Sequence, residues 1–144
     1  MTQTLSNQIC HRLYVLSHAV TRAYRPLLDA IDLTYPQYLV LLALWEQNHL
    51  DIGTLQAKTQ IDAGALSLII KKLTTKSYII TKASDQDQRI KIASLTQTGQ
   101  KLQMQAAKIP EALSACFPDV TKEDTDNLKA ALDMLMTKMH QNET

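Results

Sequence analysis

The sequence predicts a mainly α-helical protein with a small β wing near the middle of the chain. The 144 residues include only three glycines and four prolines, which disfavours an all-β chain with many tight turns. Apolar residues recur at helical spacing near both ends, whereas a short middle stretch changes to the spacing of strands. The length is that of one ordinary domain with its own hydrophobic core.

The first predicted element is a long amphipathic helix over about residues 5–25. Its apolar face is formed by residues three to four apart: Ile9, Leu13, Leu16, Val20 and Ala23. Pro26 is expected to kink or end this helix, because proline lacks a backbone donor. A second helix is predicted over residues 35–47, with Thr34 as its N-cap and Pro36 in its first turn. It is apolar almost all round, so we expect it to be buried.

A helix-turn-helix pattern follows in the middle of the chain. Thr54 is expected to cap a brief helix, and Asp62 a second one after a short turn. Two strands are then predicted at residues 78–81 and 90–95, joined by a polar tip at residues 83–88. The pattern is that of a winged helix-turn-helix.

Two further helices are predicted after the wing. Thr96 is expected to cap the first, which Pro110 interrupts. The last helix carries one apolar stripe, formed by Leu128, Ala131, Leu132, Leu135 and Met139. A DNA-binding motif in the middle of the chain, with amphipathic helices on both sides of it, suggests that the terminal helices form a dimer interface.

The predicted organisation is therefore a single domain over residues 1–144. Its winged helix-turn-helix core spans about residues 35–95. The dimerisation helices span about residues 5–30 and 96–141.

The charge distribution suggests a polyanion as partner of the middle of the chain. The formal net charge is only +1, but residues 54–101 hold eight basic and three acidic side chains. A segment this basic is a candidate nucleic-acid surface. An ordinary solvated basic face explains the same count equally well.

Cys10 and three tyrosines, Tyr14, Tyr24 and Tyr35, form the candidate chemical site. Tyrosine O–H groups can donate to a thiolate and stabilise it, and the thiolate is the form that an oxidant attacks. On a helix Tyr24 shares a face with Cys10 but lies about 21 Å along the axis from it. Tyr24 can therefore serve the thiol only from a second subunit whose first helix runs antiparallel. The alternative is that the tyrosines are amphipathic core residues and Cys10 a small buried hydrophobe.

Four segments, together with the cysteine and tyrosine spacing, carry a resemblance to a known family. They are TRAYRPLLD at residues 21–29, LTYPQYLV at 33–40, DQDQR at 85–89 and SLTQTG at 94–99. They resemble the MarR family of bacterial transcription regulators, and more narrowly its OhrR branch, which senses organic hydroperoxides. The resemblance covers nearly the whole chain.

The resemblance implies a role for each residue of the candidate site. Cys10 matches the peroxidatic cysteine of the branch, and Tyr24 and Tyr35 match phenols that contact this thiol from the partner subunit. Tyr14 matches a further tyrosine of the site. Cys116 is the candidate resolving thiol for an inter-subunit disulfide with the oxidised Cys10. The alternative for Cys116 is a buried thiol at a helix end.

The resemblance also implies contacts with double-stranded DNA. Arg89 of the wing would enter a narrow, A·T-rich minor groove, with Asp87 bracing it. Further contacts are expected from the second helix of the pair and from the wing: Ser67, Lys71, Lys72 and Lys82. The lysines are expected to hold phosphates rather than to read bases. The expected partner is a pseudo-palindromic operator read by a homodimer.

The chain departs from the family pattern around the second helix of the pair. Leu68 stands where many relatives have proline, Ala63 and Ala65 replace hydroxyl residues, and Ser77 replaces a glycine. These departures leave the operator sequence open.

The leading hypothesis is a homodimeric repressor, not an enzyme, that leaves its operator when an organic peroxide oxidises Cys10. The alternative is a repressor released by a small aromatic ligand, with Tyr14, Tyr24 and Tyr35 lining its pocket. A thiol peroxidase is the third hypothesis, disfavoured because the sequence shows neither a recognisable activation cluster nor a Cys-x-x-Cys motif.

No metal site, cofactor or membrane segment is predicted. The four histidines do not fall at paired spacings with other ligands. The longest apolar run, residues 39–45, is too short to span a bilayer. The first residues lack the features of a secretory signal, so the expected location is the cytoplasm.

Overall fold

The computed structural model describes residues 4–140, and most of them are helical. A 3₁₀ turn at Leu5–Asn7 comes first. The other elements are α1 (Ile9–Asp29), α2 (Tyr35–Glu46), β1 (Leu50–Asp51), α3 (Ile52–Thr59), α4 (Ala63–Thr75), β2 (Ile79–Ala83), β3 (Lys91–Leu95), α5 (Gln97–Ala106), α6 (Ile109–Ala115) and α7 (Lys122–His140). This architecture confirms the prediction of a mainly helical fold with a small β wing. Within the described residues, no helix has both the length and the apolarity that a membrane span needs.

The chain divides between Pro110 and Glu111 into two compact units. The first contains the helix-turn-helix and the wing, and the second contains most of α6 and the whole of α7. Buried apolar residues are found throughout the first unit, whereas no residue of α7 is buried. The larger unit therefore holds the hydrophobic core.

The wing is part of a three-stranded antiparallel sheet with the strand order β1-β3-β2. Ile79 pairs with Leu95 at the base of the wing, and Leu50 pairs with Ala93 on the other side of β3. The sequence predicted β2 and β3. It did not predict β1, which adds a third strand that joins the wing to the helix-turn-helix.

The core forms around α2, whose Val40, Leu41 and Leu44 are fully buried, as its sequence predicts. The indole Nε1 of Trp45 donates to the carbonyl of Gly99 over 3.0 Å and so ties α2 to α5. A Cβ at position 99 would lie 2.0 Å from the carbonyl oxygen of Tyr78. Only glycine fits this close approach of two backbones.

Three predicted helix caps are confirmed. Thr34 and Gln37 form a reciprocal capping box at the start of α2. The Asp62 carboxylate accepts from Ala65 N–H at the start of α4, and the Thr96 hydroxyl accepts from Gly99 N–H at the start of α5.

Three local predictions are corrected by the structure. Pro26 does not end α1, which continues to Asp29, where Leu28 packs into the core and stabilises the last turn. The cap of α3 is Asp51 rather than Thr54, because the carboxylate accepts from both the backbone N–H and the hydroxyl of Thr54. The helix break predicted at Pro110 is present but lies slightly earlier: α5 ends at Ala106, and Pro110 lies in the first turn of α6, a position that tolerates proline.

Candidate redox site and nucleic-acid interface

Cys10 is the second residue of α1, and its side chain is exposed in the single chain. Tyr14 follows one turn later and is also exposed, with its ring 4.3 Å from that of His18. The same half of α1 exposes apolar side chains at Ile9 and Leu13. This end of the helix therefore combines a free thiol and a phenol with an uncovered apolar surface.

Tyr24 and Tyr35 lie together in a second place, with their ring centroids 4.8 Å apart. Tyr38 joins them, its ring 6.0 Å from Tyr24 and 6.2 Å from Trp45. We call Tyr24, Tyr35 and Tyr38 the tyrosine cluster. Both Tyr24 and Tyr35 are half-buried and pack against the core, as the alternative reading expected; their contact with a thiol stays a prediction.

Burial raises the pKa of Tyr24 above its usual value, and electrostatic interaction with Tyr35 and Tyr38 raises it further. Burial likewise raises the pKa of Tyr38, with a smaller contribution from Tyr35. Both phenols therefore stay protonated at neutral pH. A protonated phenol is a hydrogen-bond donor, as stabilisation of a thiolate requires.

The structure brings Tyr24 and Tyr35 together but does not bring them to Cys10. Because α1 is helical from Ile9 to Asp29, fourteen residues separate Cys10 from Tyr24 by about 21 Å along the axis. One chain therefore carries the thiol and the tyrosine cluster at opposite ends of one helix. Tyr38 was not predicted as a site residue from the sequence, although its position one turn after Tyr35 could have indicated it.

Cys116 directly follows α6, and its side chain is exposed. Its Sγ donates to the carbonyl of Ala112 over 3.5 Å. The alternative reading of Cys116 as a buried thiol was wrong. An exposed thiol is accessible to a second sulfur.

The outer face of α4 is polar and basic. Leu66, Ile70 and Leu73 face the core, whereas Ser67, Lys71 and Lys72 are exposed. The three predicted DNA-binding residues of this helix thus share its solvent side. Lys82 is exposed on β2.

The wing presents Arg89 to solvent, with 91% of its side chain exposed. Its guanidinium donates to both carboxylate oxygens of Asp87, each over 3.2 Å, and Arg89 N–H donates to the same carboxylate over 3.0 Å. These hydrogen bonds, the side-chain ones most, hold the pKa of Asp87 below its usual value. The Arg89–Asp87 contact has the geometry that the resemblance implied.

A cavity of about 410 Å³ separates α4 from the wing strands. Ser67, Lys71, Thr74, Thr81 and Lys91 are among the residues that line it. Lys91 was not singled out from the sequence, where it contributed only to the charge count. Its ammonium group lies on the same basic, hydroxyl-rich surface as the predicted contacts of α4.

Lys76, at the end of α4, connects this surface to the loop between α1 and α2. Its Nζ donates to the backbone carbonyl of Asp32, to the Asp32 carboxylate over 3.1 Å, and to the Gln37 side-chain oxygen over 3.4 Å. The same Gln37 oxygen accepts from Thr34 N–H, next to Tyr35. A polar network therefore links α4 to the element that carries part of the tyrosine cluster.

A second cavity, of about 390 Å³, lies between α2, α5 and the start of α6. Tyr38, Leu42, Trp45 and Gln103 contribute to its walls. Its walls do not include Tyr14, Tyr24 or Tyr35, the residues predicted to line a ligand pocket. Within residues 4–140, no group of three or more histidine, cysteine and carboxylate side chains could hold a metal ion.

Comparison with known proteins agrees with this architecture. The family model described as transcriptional regulator SarA/Rot matches residues 22–105. The organic hydroperoxide resistance transcriptional regulator of Bacillus subtilis is 37% identical over 137 residues, covering 95% of this chain and 92% of the relative. The regulator SarZ of Staphylococcus epidermidis is 34% identical over 134 residues, covering 93% of this chain and 90% of the relative.

A similar solved structure is that of reduced AbfR bound to DNA, a Staphylococcus epidermidis protein. It has a TM-score of 0.80 and 28% identity, and the match covers 97% of this chain and 95% of that one. AbfR has also been solved in a disulfide form, with a TM-score of 0.66, 29% identity and 92% of each chain covered. The chain thus belongs to the MarR-family winged-helix transcriptional regulators of the SarA/Rot type, which bind DNA and are not enzymes.

Proposed function

We propose that the protein is a dimeric repressor that senses organic peroxides through oxidation of Cys10 and then releases its operator. Its proposed operator is a pseudo-palindromic, A·T-rich duplex contacted by Ser67, Lys71, Lys72, Lys82, Asp87 and Arg89. The hydroperoxide regulator of Bacillus subtilis, and AbfR with its reduced and disulfide forms, support a redox signal.

The separation of Cys10 from the tyrosine cluster carries this proposal. The thiol is exposed at one end of α1, and Tyr24 lies at the other end beside Tyr35. A second copy with its α1 antiparallel places the cluster of one protomer next to the thiol of the other. The sensing site is complete only in such a dimer.

Uncovered apolar surface supports the dimer. In the first unit, the amino-terminal half of α1 exposes Leu13, Val15 and Leu16. In the second unit, α7 exposes Leu128, Leu135 and Met139, three members of its predicted stripe. Exposed apolar stripes on helices are typical of association surfaces, and both lie on the predicted dimerisation helices.

The proposed chemistry begins with attack of the Cys10 thiolate on the distal oxygen of a hydroperoxide. The O–O bond breaks, the sulfur becomes a sulfenic acid, and the peroxide leaves as an alcohol after taking up a proton. The Cys116 thiol of the other protomer then displaces hydroxide from the sulfenic sulfur, which gives a disulfide and water. Formation of this disulfide displaces the two subunits relative to each other. The displacement changes the spacing between the two winged helix-turn-helix motifs of the dimer, and so weakens DNA binding.

The first test measures binding to the DNA upstream of the protein's own coding sequence, with and without cumene hydroperoxide. We expect wild type to be released and Cys10→Ser to remain bound. Cys116→Ser is the matched control for loss of a thiol: it should still form the sulfenic acid but no dimer band on a non-reducing gel. Release of Cys10→Ser by the peroxide contradicts the proposal.

Heterodimers test whether the tyrosines act across the dimer. One subunit carries Cys10→Ser, and the other carries Tyr24→Phe with Tyr35→Phe. If the phenols act from the partner, the remaining Cys10 faces intact tyrosines and is oxidised at the wild-type rate. If they act within one chain, oxidation slows on the order of tenfold or more, since a hydrogen bond to a charged group contributes about 1.5–3 kcal/mol.

The 390 Å³ cavity between α2 and α5 favours a second candidate, release by a small aromatic ligand. Its volume falls in the range of small-molecule sites, and Tyr38 and Trp45 supply aromatic walls. A phenolic ligand should then release DNA from fully reduced Cys10→Ser protein. Release by the ligand should be compared between two variants. Trp45→Phe loses the indole N–H of the cavity wall but keeps a ring, whereas Tyr14→Phe lies outside the cavity.

A further inference from the structure

Leu68 is a large apolar residue on the polar face of α4, and 63% of it is exposed. It is the sixth residue of the helix. The apolar stripes proposed for dimerisation lie on α1 and α7, so Leu68 is not part of that surface. Because its neighbours on this face of α4 are basic, Leu68 is a candidate contact for a partner that the lysines also bind.

Helical geometry places Leu68 at the centre of the outward face. At about 100° per residue, it lies about 170° from the centre of the buried residues Leu66, Ile70 and Leu73. Lys71 lies about 60° to one side of it and Lys72 about 40° to the other. An apolar side chain is thus flanked on both sides by cations.

This pattern is complementary to the major groove of DNA. The groove is bounded by two rows of phosphates, to which lysines bind without reading sequence. Between them lie the base edges, and the 5-methyl group of thymine is the one apolar feature there. A leucine between two lysines therefore meets that methyl group when the lysines meet the phosphates.

We propose that Leu68 reads thymine by apolar contact with its 5-methyl group in the major groove. The inference rests on the proposed role of α4 as the recognition helix. It adds a specificity-determining residue, and it predicts that each half-site contains an A·T pair opposite Leu68. Cytosine is excluded there because it lacks the methyl group and leaves the leucine against a polar edge.

The test uses a duplex enriched from a random pool by the reduced, full-length protein. Each thymine of one half-site is replaced in turn by deoxyuridine, which removes only the methyl group. We expect one or two positions at which wild type binds about fourfold more weakly, the change that corresponds to about 0.8 kcal/mol for one buried carbon. Leu68→Ala should bind thymine and deoxyuridine duplexes equally at those positions.

Lys72→Ala is the control, because loss of a phosphate contact should weaken binding to both duplexes and keep their fourfold ratio. Leu68→Ser is the second variant if Leu68→Ala proves unstable. The inference is overturned if no replacement of thymine by deoxyuridine weakens binding of wild type, or if the weakening persists in both Leu68 variants. Either result leaves the proposed DNA binding by α4 intact. Failure to enrich any sequence overturns the proposed DNA reader and this inference with it.

Discussion

The winged helix-turn-helix and the first half of α1 differ in how far a single chain completes them. In the former, helix caps are satisfied, the sheet is paired, and the apolar residues of α2 are buried. In the latter, Ile9, Leu13 and Leu16 remain exposed although the helix is strongly amphipathic. One chain thus builds the winged helix-turn-helix by itself, whereas the part that bears Cys10 leaves its apolar face uncovered.

The largest effect is expected from a substitution in the first half of α1. Leu13→Glu places a carboxylate in the proposed interface, where an unpaired buried charge costs about 3–5 kcal/mol. We expect a monomer by sedimentation, with helical content by circular dichroism close to wild type. Arg22→Glu, on the opposite side of α1, is the control and should remain dimeric. A dimeric Leu13→Glu would remove the first half of α1 from the interface.

The next largest effect is expected where α5 meets the winged helix-turn-helix. Gly99→Ala forces a Cβ against the Tyr78 carbonyl, which must displace backbone because the distance would be 2.0 Å. We expect the free energy of unfolding to fall by about 3 kcal/mol, as severe overpacking does, measured by urea titration. Gln100→Ala, at the next and exposed position, should change it by less than about 0.5 kcal/mol. Equal stability of the two variants would contradict the close approach.

A smaller effect is expected at Thr34, which caps α2 at its junction with α1. Thr34→Ala removes an acceptor for Gln37 N–H and should lower the free energy of unfolding by about 1 kcal/mol. Thr34→Ser keeps the hydroxyl and should restore most of the loss. If serine does no better than alanine, the capping box contributes nothing.

The smallest effect concerns pH. The hydroxyl and then the N–H of Thr54 hold the pKa of Asp51 below its ordinary value of 3.8. The stabilisation is therefore present above the ordinary pKa, and is lost as the pH falls through the lowered value in the folded protein. Asp51→Asn should flatten the dependence of stability on pH below about 4 only slightly, because the carboxylate lies near solvent. If the free energy of unfolding from urea titrations at pH 3–5 depends on pH equally in Asp51→Asn and in wild type, this hydrogen bond does not lower the pKa of Asp51 in the folded state.

Much of the fold could be predicted because the signals are local. Thr34, Asp62 and Thr96 cap their helices through side chains that bond within three residues, and the wing strands follow from alternation of residue type. The strand β1 has only two residues, Leu50 and Asp51, and its pairing with β3 depends on residues more than forty positions away. Sequence spacing carries no such information.

The candidate site residues could be placed on their helices from the sequence, but their arrangement in space could not. The spacing of Cys10 and Tyr24 required a second subunit, and the continuous helix α1 agrees with that requirement. The inclusion of Tyr38 in the cluster and the contacts of Lys76 depend on tertiary packing. Pro26 misled the prediction because the buried Leu28 outweighs a local preference.

The network around Lys76 has a mechanical consequence. Asp32 adopts a left-handed backbone with a φ of 54°, a conformation that persists in such a residue only when its surroundings hold it. The Lys76 ammonium group binds both the backbone carbonyl and the side-chain carboxylate of Asp32 in this loop. The carboxyl-terminal end of α4 is thus hydrogen-bonded to the loop that leads to Tyr35, so we expect a rearrangement of that loop to displace α4.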